Sequence, residues 1–251
     1  MIEPEQIQKN YDILLNYIES YINGERKELL LHFYKKYEDR LILMPASTKV
    51  GHHSWFPGGY VHHVNNVIKC SLLVEEVWRK QGVDNKRYTI EELVFSALNH
   101  DLGKMGDETN PIYIPNPSQW HIENQGQVYI HSPKVQFASV PDRSLFLLQQ
   151  HGIPYSFNEF IAIKTHDGLY SEANKEYLMG FSIDSKPYAA LAYILHQGDL
   201  MAARIEFEQQ YVAKIDKVEK IKVPREDKKV KIANSSAKGA EFMNMLNKIV
   251  K

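Results

Sequence analysis

Four side chains of this chain could together grip a divalent cation: His63, the adjacent pair His100 and Asp101, and the distant Asp199. Two imidazoles and two carboxylates form a borderline-to-hard donor set. It suits Mn²⁺, Fe²⁺, Co²⁺, Ni²⁺ or Zn²⁺, and Mg²⁺ less well. His100 and Asp101 close the apolar run ELVFSALNHD, just before Leu102-Gly103-Lys104. Asp199 sits inside ILHQGDLMAAR, among Leu195, Leu200 and Met201, and Ala202 and Ala203 point to packed surroundings. A charge in such a stretch is rarely buried unless it is paired or bound to metal. A His-Asp dipeptide alone is common and carries little weight.

These residues need elements that bring them together. Apolar positions at Ile7, Tyr11, Leu14, Leu15, Ile18 and Ile22 predict a helix over 5–22, ended by Asn23-Gly24, with a second over 25–39. Pro45, Pro57 and Gly58-Gly59 mark 44–59 as a loop. Helices follow at about 60–81, carrying His63, and to about 101 after a Thr89–Glu92 capping box. The alternation in WHIENQGQVYIH predicts a β-hairpin over 119–131, turning at Asn124-Gln125-Gly126. Helices resume at 142–151 and 157–167, the stretch 168–185 reads as irregular, and a strongly apolar helix spans 186–210. From about 212 the chain is lysine-rich and poor in large apolar residues, as expected of a mobile tail or surface arm, with a short helix at 240–250. Ligands from three separate helices converge only within a helical bundle. The expected architecture is therefore mostly α, with a small β-hairpin insertion and a charged C-terminal tail.

The ordered set GGYVHHVNNV, ALNHDLGK, IAIKTHDGLY and ILHQGDLMAAR resembles the HD-domain metal-dependent phosphohydrolase superfamily over about residues 55–210. The GGYVHH and HQGDLMAAR segments look closest to members acting on nucleotides or RNA 3′ ends, and the whole chain has the flavour of phage-encoded members. The resemblance implies an HD helical bundle at 55–211, an N-terminal helical segment (1–54) packed on it, and the 212–251 tail. It also implies one metal held by His63, His100, Asp101 and Asp199. Neighbouring helical residues point about 100° apart, so only one of His62 and His63 reaches the ion. His63 lies on the side of the apolar stripe and where the family's histidine follows Gly-Gly.

Further candidates surround this set. His166 is expected to contact substrate phosphate or to support the ligands, and Lys104 to lie near phosphate, where a cation is useful. His131 and His166 occupy the window in which two-metal relatives place extra histidines, but His166-Asp167 stands where some of those carry adjacent histidines. One metal is therefore expected. His151, before Gly152, reads as a partner of a helix C-terminus. His196 shares the face of Asp199 one turn away, and Arg204, one turn beyond it, could pair with a carboxylate or phosphate. The implied reaction is hydrolysis by metal-activated water, with Asp101 both holding the ion and accepting a proton.

With 251 residues, 43% hydrophobic, and a net charge of −1, the chain can build a sizeable core and offers no global charge for nucleic acid or membrane. The single cysteine, Cys70, allows no intrachain disulfide, no signal peptide is evident, and a cytosolic protein is expected. No P-loop, dinucleotide fingerprint or cysteine zinc pattern is present. The leading expectation is a 5′-nucleotidase or (deoxy)nucleoside triphosphate hydrolase with a small-molecule nucleotide substrate. The alternatives are a 3′–5′ exonuclease or phosphodiesterase acting on nucleic acid, held by the lysine-rich tail, or on a cyclic nucleotide, a diiron HD-fold oxygenase engaging both His131 and His166, and a non-catalytic nucleotide-sensing module.

Overall fold

The computed structural model describes residues 3–83, 85–182, 187 and 189–222; the side chains of 85 and 213–222 lie outside that description. The chain divides into two units, Met1–Tyr211 and Val212–Lys251. The first is mostly helical, with one small antiparallel sheet.

Helix α1 (Pro4–Tyr21) carries Pro in its first turn and buries Tyr11, Leu14 and Ile18 completely. The single helix expected over 25–39 is two helices, α2 (Gly24–Lys36) and α3 (Glu38–Leu41). Tyr37 leaves helical geometry between them, and its ring packs on Phe33 and His151. Helix α4 (Gly59–Lys80) starts at Gly58, whose φ of 79° is left-handed, and buries Tyr60, Val64, Val67 and Ile68. Helix α5 (Ile90–Asn99) opens with the Thr89–Glu92 capping box read from the sequence, and a 3₁₀ turn, Leu102–Met105, follows it.

The expected hairpin over 119–131 is corrected. The strands are β1 (Tyr113–Pro115) and β2 (Tyr129–His131), with Ile114 opposite Ile130, and helix α6 (Gln119–Gln125) lies between them. Ser118 caps α6, Gln119 and Glu123 bond one turn apart, and Gly126 ends it at φ 62°. These local signals outweigh the polar–apolar alternation. The insertion is tied to the 44–58 loop, since Val50 N–H donates to the Gly126 carbonyl and Val128 N–H to that of Thr48.

Helices α7 (Val140–Gln150) and α8 (Phe157–Thr165) follow, the second opened by a Ser156–Glu159 capping box. The segment expected to be irregular holds 3₁₀ turns at Gly168–Tyr170 and Glu172–Asn174 and helix α9 (Lys175–Leu178). The last helix, α10 (Leu191–Lys222), starts later than the predicted 186 and runs beyond 210 into the lysine-rich stretch. Lys and Glu are good helix formers, so that composition alone does not end it. Residues 186, 188 and 223–251, with the predicted 240–250 helix, lie outside the described residues.

Helix α4 packs on α1 and α5, α5 on α8, and α7 on both α8 and the Leu102–Met105 turn. Their apolar faces close one core that includes Tyr11, Phe33, Val64, Phe95, Ile163 and Leu195. Each such side chain, fully buried, contributes roughly 1.5–3 kcal/mol. Helix α10 reaches α4 through Gly198, where an added Cβ would lie 2.8 Å from Ser71 Cα. That close approach sets the neighbouring Asp199 beside His63. No helix among the described residues is long and apolar enough to cross a membrane.

Candidate metal centre

His63 stands in the second turn of α4 and is 1% exposed. Its Nε2 lies 3.1 Å from Asp199 Oδ1 and 3.8 Å from Asp101 Oδ2. His100 Nε2 lies 3.4 Å from Asp101 Oδ2 and 3.9 Å from Asp199 Oδ1. The predicted residues from α4, the end of α5, and α10 therefore converge. Their donor atoms fall into two overlapping groups, His63–His100–Asp101 and His100–His166–Asp199, each able to hold a metal ion. His166 thus joins the cluster itself, with Nε2 3.6 Å from Asp101 Oδ1. His62 turns away toward Ser54, 3.1 Å from its Oγ.

The chain builds this arrangement twice over. His100 ends α5 and His166 ends α8, each as the C-cap residue, each followed by an Asp and a 3₁₀ turn. His100 Nδ1–H donates to the Ala97 carbonyl at 2.7 Å, and His166 Nδ1–H donates to that of Ile163 at 2.8 Å. With Nδ1 committed as donor, Nε2 is the nitrogen of each ring left to bind a metal once any proton on it is displaced. His63 reaches the same state through a carboxylate, with Glu206 Oε1 3.2 Å from its Nδ1. The first Asp, Asp101, is buried, and the second, Asp167, is 45% exposed at the cleft.

Asp101 is the electrostatic hub. Burial opposes its charge, but Lys104 and His100 hold its carboxyl well below the usual range. Lys104 Nζ donates to Asp101 Oδ2 at 2.5 Å, and its own pKa is pushed up by that carboxylate against the cost of burial. Asp199 is also held low, chiefly by His63 against burial. Burial should strip protons from the histidines, yet Glu206 and Asp199 raise His63 to about 10, and Asp101 and Asp167 raise His166 to about 9. The carboxylates of Asp101, Asp199 and Glu206 are thus held ionised by the cationic groups beside them, Lys104, His63 and His166.

The donor set fits a divalent metal on one further ground. His100 Nε2 is buried and has no hydrogen-bond partner. A buried polar atom left unpaired costs roughly 1–3 kcal/mol, and coordination to a cation removes that cost.

The cluster forms the floor of a cleft of about 570 Å³. Lys104, His196 and Arg204 line it as well, with Leu200, Ala203, Phe207 and Tyr170 as a less polar wall. His196 Nδ1–H donates to the His166 carbonyl at 2.9 Å, and its ring fills the space beside Gly168, where a Cβ would come within 2.0 Å. Arg204 donates to the Tyr170 hydroxyl at 3.1 Å rather than to a carboxylate. His131 is not brought to the site: it is exposed at the end of β2, with its ring against Tyr113. His151 is the C-cap residue of α7, and its side chain meets the Tyr37 hydroxyl at 3.2 Å; burial lowers its pKa, which disfavours the cation expected opposite the helix end.

Two participants escaped the sequence reading. His53, on the 44–58 loop, lines the cleft with its ring 4.6 Å from that of His63. Burial first, then His63 and Lys104, lower its pKa to about 3, which keeps it neutral. The Gly51-His52-His53 string was a signal for it. Glu206 was the other, detectable as an acid two turns after Asp199 on the same face. Comparisons of the chain with protein-family models, with curated proteins and with solved structures found no match.

Proposed function

We propose that this chain is a metal-dependent phosphohydrolase of the HD type, acting on a phosphate ester or anhydride of a nucleotide. The observation that carries the reading is the convergence of three imidazole Nε2 atoms on the carboxylates of Asp101 and Asp199, with the Nε2 of His100 buried and without a hydrogen-bond partner. His63, His100, Asp101 and Asp199 would hold the ion, with His166 beside it; Mn²⁺, Fe²⁺, Co²⁺, Ni²⁺ or Zn²⁺ suits the donors. Such an ion, when bound, supplies an acidified water and polarises a phosphoryl oxygen. Lys104 and Arg204 line the same cleft and offset the negative charge of a phosphate. Asp101, with oxygens facing His63, His100 and His166, would hold the ion as a carboxylate that Lys104 and His100 keep ionised. The cleft volume is in the range that small ligands occupy, and the Phe207–Tyr170 side suits a base.

The oxygenase alternative relied on His131, which stands outside the cleft. The nucleic-acid alternative relied on the lysine-rich tail, mostly outside the described residues. The test is metal analysis of purified protein, then a screen of nucleotides and phosphodiesters with several divalent ions. Hydrolysis of a nucleotide that requires metal and disappears in Asp101→Ala is expected. Full activity in Asp101→Ala would refute the proposal.

A further inference from the structure

Glu206 is 2% exposed, although its neighbours Ile205 and Phe207 are 44% and 42% exposed. A carboxylate so far from water needs partners, and both its oxygens have them. Oε1 accepts from Asn66 Nδ2 at 2.8 Å and faces His63 Nδ1 at 3.2 Å. Oε2 accepts from Ser54 Oγ at 2.7 Å and lies 3.3 Å from the same His63 nitrogen. Glu206 thus gathers the 44–58 loop and α4 around one side chain of α10. Ser54 is the only non-glycine among the described residues with positive φ, at 46°, and it is fully buried. An L residue adopts that conformation at a cost, here in the loop where its hydroxyl meets Glu206. The imidazoles of His63, His100 and His166 are not equivalent in what stands behind them. His100 and His166 lean on neutral carbonyls of their own helices, whereas His63 leans on a carboxylate from another element.

We infer that Glu206 is the positioning residue of His63: it fixes the tautomer with hydrogen on Nδ1, aims Nε2 at Asp101 and Asp199, and strengthens that nitrogen as a metal donor. A carboxylate behind a ligating imidazole has this effect wherever the two meet. The inference rests on the metal-centre reading above and adds to it a residue that the His, His-Asp, Asp pattern does not contain. The competing description makes Glu206 a structural clamp between loop and helices, indifferent to metal.

The full chain is titrated calorimetrically with Mn²⁺ or Co²⁺ alone, native and Glu206→Gln. Glutamine keeps the shape and one accepting oxygen for Asn66 and His63, its amide nitrogen can donate to a reoriented Ser54 hydroxyl, and the charge is removed, so a clamp survives it. The expected result is a folded variant, with the native circular-dichroism spectrum, that binds either ion roughly 10–100-fold more weakly. Its bound Co²⁺ should also show a shifted visible absorption spectrum. Native affinity and spectrum in Glu206→Gln overturn the inference and leave the metal centre standing; failure of the native chain to bind either ion overturns both. Should the variant fail to fold, imidazole ¹⁵N–¹H spectra of the native Zn²⁺-loaded protein decide. A protonated His63 Nδ1 supports the assignment, and a bare or metal-bound Nδ1 overturns it.

Discussion

His63 and His166 hold their protons more tightly than imidazoles in water, because the carboxylates around them outweigh the effect of burial. With values of about 10 and about 9, both are cationic at neutral pH in the metal-free chain. A divalent ion must displace those protons, so binding releases them. Mn²⁺ affinity should therefore rise with pH between 6 and 8, roughly tenfold per unit for each proton displaced. Calorimetry across that range checks it, and a flat profile would show that the ion binds elsewhere. At this scale the sequence was legible where a residue type was anomalous for its setting, as with Asp199 in an apolar helix and His100-Asp101 at a helix end. His63 was separable from His62 because the apolar stripe marks the inward face. Glu206 left only its two-turn spacing from Asp199 as a mark, since an acid in the EFEQQY run looks like an ordinary surface charge until the loop and α4 close over it.

Helix ends decide where the ligands stand. His100 and His166 are delivered by the closing turns of α5 and α8, and each of these helices begins at a capping box. Thr89→Ala removes one such cap and should cost about 1 kcal/mol of stability. Because the cap is a full helix length from His100, metal affinity should be unchanged when measured beside the melting curve. Gly198→Ala is predicted to behave differently. Its Cβ would press on Ser71 Oγ and Cα, at 2.2 and 2.8 Å, forcing α10 from α4. Overpacking of this kind costs roughly 1–3 kcal/mol, and here it should also separate Asp199 from His63 and weaken metal binding at least severalfold. Native affinity in a folded Gly198→Ala chain would contradict that link. The helices were readable because apolar spacing, caps and terminal glycines agreed with one another. The 119–125 segment was misread because its alternation had no cap or turn behind it as strong as Ser118 and Gly126. The start of α10 was placed too early, and its continuation past 210 was hidden by a composition that suits both helix and solvated tail.

For the molecule as a whole, a bound ion would take the place of the protons that His63 and His166 carry beside the carboxylates. An ion that binds only the folded chain stabilises it by about 2.7 kcal/mol at a hundred times its Kd. For a chain of this size that is roughly 5–10 °C in melting temperature, reversed by a chelator. The metal-free protein should show an opposite pH trend. His63 and His166 have raised folded-state pKa values, so their contribution is complete below about 6.5. It is lost as pH climbs through about 9 and about 10. Melting temperature without metal should therefore fall over that window, and a rise would contradict the charge assignment.

The most direct test is anomalous diffraction from crystals grown with Mn²⁺ or Co²⁺. One strong peak is predicted within roughly 2.0–2.3 Å of His63 Nε2, His100 Nε2, and an oxygen each of Asp101 and Asp199. An ordered site with native side-chain positions and no peak between them, despite saturating metal, would contradict the account.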